Sequence, residues 1–376
     1  MIEKIKKFID CRVPAETCNL RCHYCYITLQ RRFNQKLPKF RYSPSHIAKA
    51  LNKNRLGGVC CINLCGDGET LLPPEIPELI KLLLTEGHYV MVVTNGTITR
   101  RFQQIAEFDK ELLKRLFFKF SFQFLELKRT NQMDVFFDNI RLMRDSGCSF
   151  TLEITPNDEL IPYIDEVKDY AIKNVGAIPH VSVARDSRTD ELKILTNLSK
   201  DKYESVWNTF DSDMFKFKLS VFNKKRKEFC YAGFWSYYLN LLTGELRQCY
   251  KGENLQNIFE NIETPIVEKP IGCHCLQPHC YNAHAWLTFG DIPYFDAPTY
   301  LDMRNRVTKT GEEWVREPMK SFFNQKLKDN NKEYSNLQKF AFELKRLFKQ
   351  IFSVQKMSGK VKITVLGIKI NFKDQL

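Results

Sequence analysis

No apolar run in these 376 residues approaches the roughly 20 that a membrane-spanning helix needs. The opening Met1-Ile2-Glu3-Lys4-Ile5-Lys6-Lys7 leads into no apolar stretch of the kind a secretory leader carries. Thirteen cysteines without such a leader argue against a disulfide framework. They point instead to metal-binding or reactive thiols in a reducing cytoplasm. Cysteine is absent after Cys280, so the tail stands outside any thiol chemistry. What remains is globular in composition, 43% hydrophobic and 27% charged. That length suits one large domain or two to three smaller ones. Acidic residues are in deficit, and the net charge is +13. Residues 312–376 carry 14 Lys/Arg against 7 Asp/Glu, so over half of the excess lies in the tail. Such a balance fits nucleic acid, acidic lipid or an anionic substrate.

The chain is organised around Cys18-Asn19-Leu20-Arg21-Cys22-His23-Tyr24-Cys25. Thiolates are soft ligands for zinc or iron–sulfur clusters. A structural zinc site closes four ligands, and no fourth stands at finger spacing here. His23 is wedged between two of the cysteines. A four-iron cube held by three thiolates keeps one iron open for a substrate or cofactor.

The pattern C-x3-C-x-aromatic-C resembles the signature of radical S-adenosylmethionine (SAM) enzymes. The resemblance implies that Cys18, Cys22 and Cys25 hold a [4Fe-4S] cluster whose open iron chelates SAM, with Tyr24 beside it. It implies reductive cleavage of SAM to a 5′-deoxyadenosyl radical that abstracts hydrogen from a substrate. A reductant such as flavodoxin or ferredoxin is implied as partner.

Strand and helix patterns alternate six times before about residue 185. Strands are expected over Lys7–Glu16, Val59–Cys65, Tyr89–Thr94, Phe117–Phe124, Phe150–Thr155 and Ile178–Val183. Helices are expected over Pro44–Asn54, Pro74–Glu86, Phe102–Phe108, Met133–Asp145 and Leu160–Lys173. This is an α/β chain with a parallel sheet, and the pattern alone leaves doubly wound sheet and barrel open. The resemblance decides for a partial (β/α)6 TIM-type barrel over residues 1–200, with chemistry at the C-terminal strand ends. Residues 201–229 read as a linker, 230–295 as a small cysteine-rich iron–sulfur extension, and 296–376 as a basic tail.

Gly66-Asp67-Gly68-Glu69 follows the second strand. Glycines there let backbone approach a ligand, and a carboxylate accepts from an ammonium group. The run resembles the family's glycine-glycine-glutamate element, which implies SAM contacts at Gly66, Gly68 and Glu69. Asp67 and Thr70 depart from its commonest form. Further candidates on later strand ends are Asn95 in Thr94-Asn95-Gly96, Ser121 and Gln123, with Glu153 and Asp158 beside the fifth strand.

A second set runs Cys230-x13-Gly244-x4-Cys249 and Cys273-x-Cys275-x4-Cys280-x3-His284. It resembles a SPASM/twitch extension with too few cysteines for two clusters. The resemblance implies one auxiliary [4Fe-4S] cluster on Cys230, Cys249, Cys275 and Cys280. Cys273 fits the spacing least, and His284 is an alternative ligand. A structural zinc knot remains open. Tyr250 stands where some relatives carry an acidic proton acceptor, so no base is implied. Cys11, Cys60, Cys61, Cys65 and Cys148 read as packing residues.

In the tail, Leu337, Phe340, Leu344, Leu347, Phe348 and Ile351 recur at helical spacing among Lys339, Lys345, Arg346 and Lys349. The expectation is a helix packed by its apolar stripe on the barrel, with contact to an acidic membrane surface as the alternative. Lys360–Lys373 alternates like a strand. The leading reading is a cytoplasmic radical SAM enzyme that oxidatively modifies a peptide. A carbohydrate oxidation or epimerisation stands second. A non-catalytic metal-stapled nucleic-acid binder is the reading from another class, although the chain carries no clear nucleic-acid signal. An electron-transfer protein would need no SAM site.

Overall fold

The computed structural model describes residues 3–189, 191–357, 360–365 and 368–373, with side-chain surroundings for 3–189 and 191–348. Six parallel strands pair in sequence order: β1 (Lys7–Val13), β2 (Cys60–Gly66), β3 (Tyr89–Thr94), β4 (Leu116–Ser121), β5 (Ser149–Ile154) and β6 (His180–Val181). The fold is α/β with an open parallel sheet, as a partial barrel requires. Nearly continuous apolar runs such as YVMVVT and LFFKFS suit strands covered on both faces. Pro14 lacks an N–H for the ladder and follows the last residue of β1, which is why the strand stops short of the expected Glu16.

Helices cross over between the strands. Ser43 accepts the His46 N–H at the start of Pro44–Ala50. In Ile76–Thr85 the side chains Ile76, Leu79, Ile80, Leu83 and Leu84 are all buried. Met133–Asp145 and Ile164–Val175 follow, the latter ended by Gly176 at φ 76°. These faces pack on Ile9, Ile62, Leu64, Val92, Phe118, Phe120 and Leu152 of the sheet's outer side. Each such burial contributes roughly 1.5–3 kcal/mol. The expected strand Phe117–Phe124 is shorter, because Phe124–Arg129 forms a helix of its own.

The sheet does not end at β1. Ser236–Asn240 (β7) pairs with it in parallel, and Glu245–Arg247 (β8) and Asn254–Asn257 (β9) extend it antiparallel. The cysteine-rich stretch therefore shares the barrel's sheet and is joined to it by main-chain hydrogen bonds. The inner face divides in two. Phe8, Cys61, Tyr89 and Phe117, near the N-terminal strand ends, are covered by Trp286, Phe289, Tyr300, Phe322 and Phe323. Phe8 stacks on Phe289 at 4.8 Å and Tyr89 on Phe322 at 3.7 Å between centroids. The later inward positions line a cavity. Residues 296–330, grouped with the tail by composition, thus form the floor beneath that cavity.

The tail corrects one expectation. Helix Asn336–Ile351 turns its apolar stripe outward. Leu337 is 76% exposed, Phe340 65% and Phe348 56%. The helix is held by its other side. Phe342 packs on Phe229, the Cys273 N–H donates to Glu343 at 2.7 Å, and Arg346 donates to the Ile271 carbonyl at 3.1 Å. The side chains of Lys349 and Ile351 lie outside the described residues. The single strand expected over Lys360–Lys373 is two, Lys360–Val365 (β11) and Ile368–Lys373 (β12). They pair antiparallel with each other, and β11 also pairs with Phe352–Met357 (β10). Residues 366–367 between them lie outside the described residues.

Candidate functional site

The three-cysteine loop leaves the C-terminal end of β1 and is fixed by the loop after β2. The Gly68 N–H donates to the Ala15 carbonyl, and the Glu69 N–H to the Thr17 carbonyl at 3.0 Å. A Cβ on Gly68 would stand 2.1 Å from the Thr17 oxygen and 2.7 Å from that of Ala15. Only glycine allows this approach. Gly68 therefore positions the cysteine loop against β2 rather than lining the cavity.

Glu69 is 2% exposed. Its carboxylate accepts from the Leu71 N–H at 2.9 Å, the Thr94 hydroxyl at 2.7 Å and the Asn95 N–H at 2.7 Å. Burial pushes its pKa up against those bonds. It ties β2 to β3 and is not brought to the cavity surface. Asn95 donates to Asn19 at 2.8 Å and lies 3.7 Å from the Cys18 sulfur, so it holds the cysteine loop. Asp158 accepts from Thr196 and the Asn197 N–H, both at 2.7 Å, and serves its own loop.

The three thiols sit close enough to oppose one another's ionisation. Burial, then the charge of Glu69, raises Cys18 to about 11. Burial and the charges of Cys25 and Cys18 push Cys22 far up. Burial raises Cys25. Gathered, half-desolvated thiolates need a multivalent cationic centre to be stable together. This donor set therefore fits an iron–sulfur cluster. Tyr24, Cys25, Gly66, Ser121 and Gln123 all line the large cavity, and the Tyr24 hydroxyl donates to Gln123. The pair brings the cysteine loop and the fourth strand's end to one wall.

The second set closes differently. Cys230 from a bridge to Gly272, Cys249 from the bend after β8, and Cys275 and Cys280 from one loop line a small cavity of about 40 Å³ with Ala232, Ile271, Trp286, Leu287 and Ile292. Cys230 exchanges two main-chain bonds of 3.1 Å with Gly272. Gly244 turns the β8 hairpin at φ 80°, where a Cβ would meet Asn257 at 2.3 Å. Burial, then the charges of Cys249 and Cys275, pushes Cys280 up. Cys273 points elsewhere, toward Glu343 and the tail helix. His284 lines the large cavity and not the small one, which removes it from the thiol set. Among the described residues no three His, Cys, Asp or Glu side chains converge on a single ion. Zinc would draw its thiolates to about 2.3 Å from one point. Four thiols around one apolar cavity form a donor set of the kind that either a structural zinc or a cube takes.

The large cavity holds about 1130 Å³. Tyr250, Lys251, His279, Cys280 and Tyr281 border both cavities, so the second thiol set forms part of its wall. Its inner lining includes residues the motifs did not flag, Asp10, Asn63, Lys119 and Lys218, together with Glu153 and His284, which they did. Asp10 accepts from Asn63 at 2.7 Å and Asn282 at 3.3 Å, and burial raises its pKa. Burial also opposes Glu153, but Arg304 at 2.6 Å, Lys119 and Lys218 hold it below the usual range. Burial lowers Lys218 to about 7, with its ammonium donating to Ser182 at 2.6 Å. His284 is driven well down by burial, and its Nδ1 has no partner. For the strand residues the available signal was a charged or amide side chain inside a mostly buried strand, as with Asp10 in β1, Asn63 in β2, Lys119 in β4 and Glu153 in β5. Cys65 and Cys11, both expected to be packing residues, also border this chamber, while Cys60, Cys61 and Cys148 are fully buried away from it.

Residues 13–156 match the family model described as Radical SAM superfamily, and a domain of that class is supported over that stretch. A nearby curated relative is the S-adenosylmethionine-dependent nucleotide dehydratase of Lacinutrix mariniflava, 32% identical over 82 residues. That match covers 22% of this chain and 17% of the relative. Similar solved structures include Streptococcus suis SuiB bound to S-adenosylmethionine, at 13% identity and TM-score 0.45, covering 69% of this chain and 64% of that one. Another is anSMEcpe with bound AdoMet and Cp18Cys peptide, at 14% identity and TM-score 0.47, covering 91% and 98%.

Proposed function

We propose that the chain is a radical SAM oxidoreductase acting on a small polyhydroxylated molecule, a carbohydrate unit, in the chamber of about 1130 Å³. Cys18, Cys22 and Cys25 hold the catalytic cluster. That cluster, when bound, supplies the electron that cleaves SAM to the hydrogen-abstracting radical. Tyr24, Ser121 and Gln123 line the wall where SAM lies, and Asn95 keeps Cys18 in place. Cys230, Cys249, Cys275 and Cys280 hold an auxiliary cluster against the chamber, placed to accept an electron or anchor substrate. A flavodoxin or ferredoxin delivers the reductant.

One observation carries the choice of substrate. The inner lining combines acceptors (Asp10, Glu153) with donors (Lys119, Asn63, Lys218), partly paired with one another and with Asn282, Arg304 and Ser182, and hydroxyls can join both kinds. Lys218, which burial lowers to about 7, would take the hydroxyl proton that is released once hydrogen is abstracted from the adjoining carbon, the remaining electron passing to the auxiliary cluster. A second reading, modification of a peptide side chain, is favoured by the mouth. Exposed Arg31, Arg32, Arg188 and Glu191 border it and suit a longer partner.

The test is anaerobic reconstitution followed by assay of 5′-deoxyadenosine from SAM under dithionite. Cleavage in the wild type and none in Cys18/Cys22/Cys25→Ala supports the reading. Salt-dependent nucleic-acid binding without cleavage overturns it. Deuterium transfer into 5′-deoxyadenosine from deuterated sugars, against deuterated peptides, separates the two substrates.

A further inference from the structure

The outward stripe of helix Asn336–Ile351 has no role in the chemistry above. Leu337, Phe340, Leu344, Leu347 and Phe348 are 43–76% exposed on one side of a regular helix. That side cannot simply roll inward. Phe342, Glu343 and Arg346 fix the opposite side to Ile271, Cys273 and Phe229. A Cβ on Gly272 would strike Glu343 at 2.3 Å, so this docking is built into the turn before Cys275. Glu343, the sole acid of the helix, is bonded to the Cys273 N–H and paired with Arg346 at 2.7 Å. The outward surface therefore presents apolar side chains and exposed Lys345 with no carboxylate. From Lys349 to the last residue the sequence has six lysines against one Asp374.

We infer that this helix lies on an anionic lipid surface, with its stripe among the acyl chains and the lysines at the headgroups. An apolar strip edged by cations on a rigid body is the arrangement that binds in the plane of a bilayer. The charge excess selects acidic lipids, each lysine near the surface strengthening binding roughly fivefold at moderate salt. The docking holds the 271–275 turn, so the membrane-facing helix and the second thiol set move as one unit.

The experiment is co-sedimentation of the reconstituted full chain with two kinds of vesicle. One is phosphatidylcholine alone, and the other mixes in phosphatidylglycerol. The expected result is binding to the mixed vesicles at least roughly tenfold above the neutral ones, weakened by salt. Leu344→Glu/Phe348→Glu should abolish it, with unchanged Tm and iron content. Lys345→Glu, which leaves the stripe intact, should weaken it severalfold. Equal weak binding to both vesicles overturns the inference. So does a salt-insensitive dimer in solution that the Leu344→Glu/Phe348→Glu change dissociates, since the stripe would then belong to a second copy.

Discussion

The two cysteine sets, each proposed to hold a cluster, are gathered by opposite means. The first is a single eight-residue loop, and its three thiols reach one place because the chain between them is too short to part them. The second gathers Cys230, Cys249, Cys275 and Cys280 over fifty residues of sequence. It depends on the β8 hairpin, the Cys230–Gly272 bridge and the docked tail helix. A local site needs only an anchor, here Gly68 against Ala15 and Thr17. A dispersed site needs a folded frame. The first set should therefore tolerate damage to the frame of the second, and the reverse.

The sharpest break comes from the ligands themselves. Cys22→Ala should remove about four of about eight irons and all SAM cleavage. Cys280→Ala should remove a similar amount of iron yet leave measurable 5′-deoxyadenosine. Iron analysis beside the cleavage assay reads both. If Cys280→Ala lost every iron, the two sites would be one cooperative unit.

The anchors come next. Gly68→Ala forces a Cβ into the Thr17 carbonyl and should cost about 3 kcal/mol, seen in the urea midpoint, with loss of the first set's iron. Gly244→Ala strains the β8 turn and should instead deplete the second set. The same loss pattern from both variants would refute separate frames.

The chamber between the sets carries a pH signature. Lys218 titrates at about 7 in the fold and at its ordinary 10.5 when unfolded. Between those values the unfolded chain binds more protons, so this group makes stability rise with pH across that window. Lys218→Met should flatten that rise in denaturant titrations, and a steeper rise in the variant would contradict the assignment. The smallest effect belongs to Cys273→Ser. Its thiol lies outside the small cavity, so iron content should stay at the wild-type level.

The same contrast explains what the sequence could tell. The open parallel sheet was legible because the central strands β2, β3 and β4 are compact, mostly apolar runs and crossover helices carry their own stripe, as in Ile76–Thr85. The triplet was legible because its geometry is local. The pairing of β7 with β1 was not, since nothing in Ser236–Asn240 names its neighbour. Glu69 and Gly68 stood out as a ligand-binding motif, and their part in joining the cysteine loop and β3 to β2 showed only in the fold. Asp10, Asn63, Lys119 and Glu153 stood in plain view as polar residues in apolar strands. Only the register placed them on one inward face. The tail helix had the correct period, but periodicity cannot say which side faces the protein, and here the contacts of Phe342, Glu343 and Arg346 decide it.

The most direct test of two distinct clusters is metal and sulfide analysis of reconstituted Cys18/Cys22/Cys25→Ala protein. The account predicts about four irons, matching sulfide, and no zinc, all held by Cys230, Cys249, Cys275 and Cys280. One tightly bound zinc with no iron, or no metal at all, would contradict it.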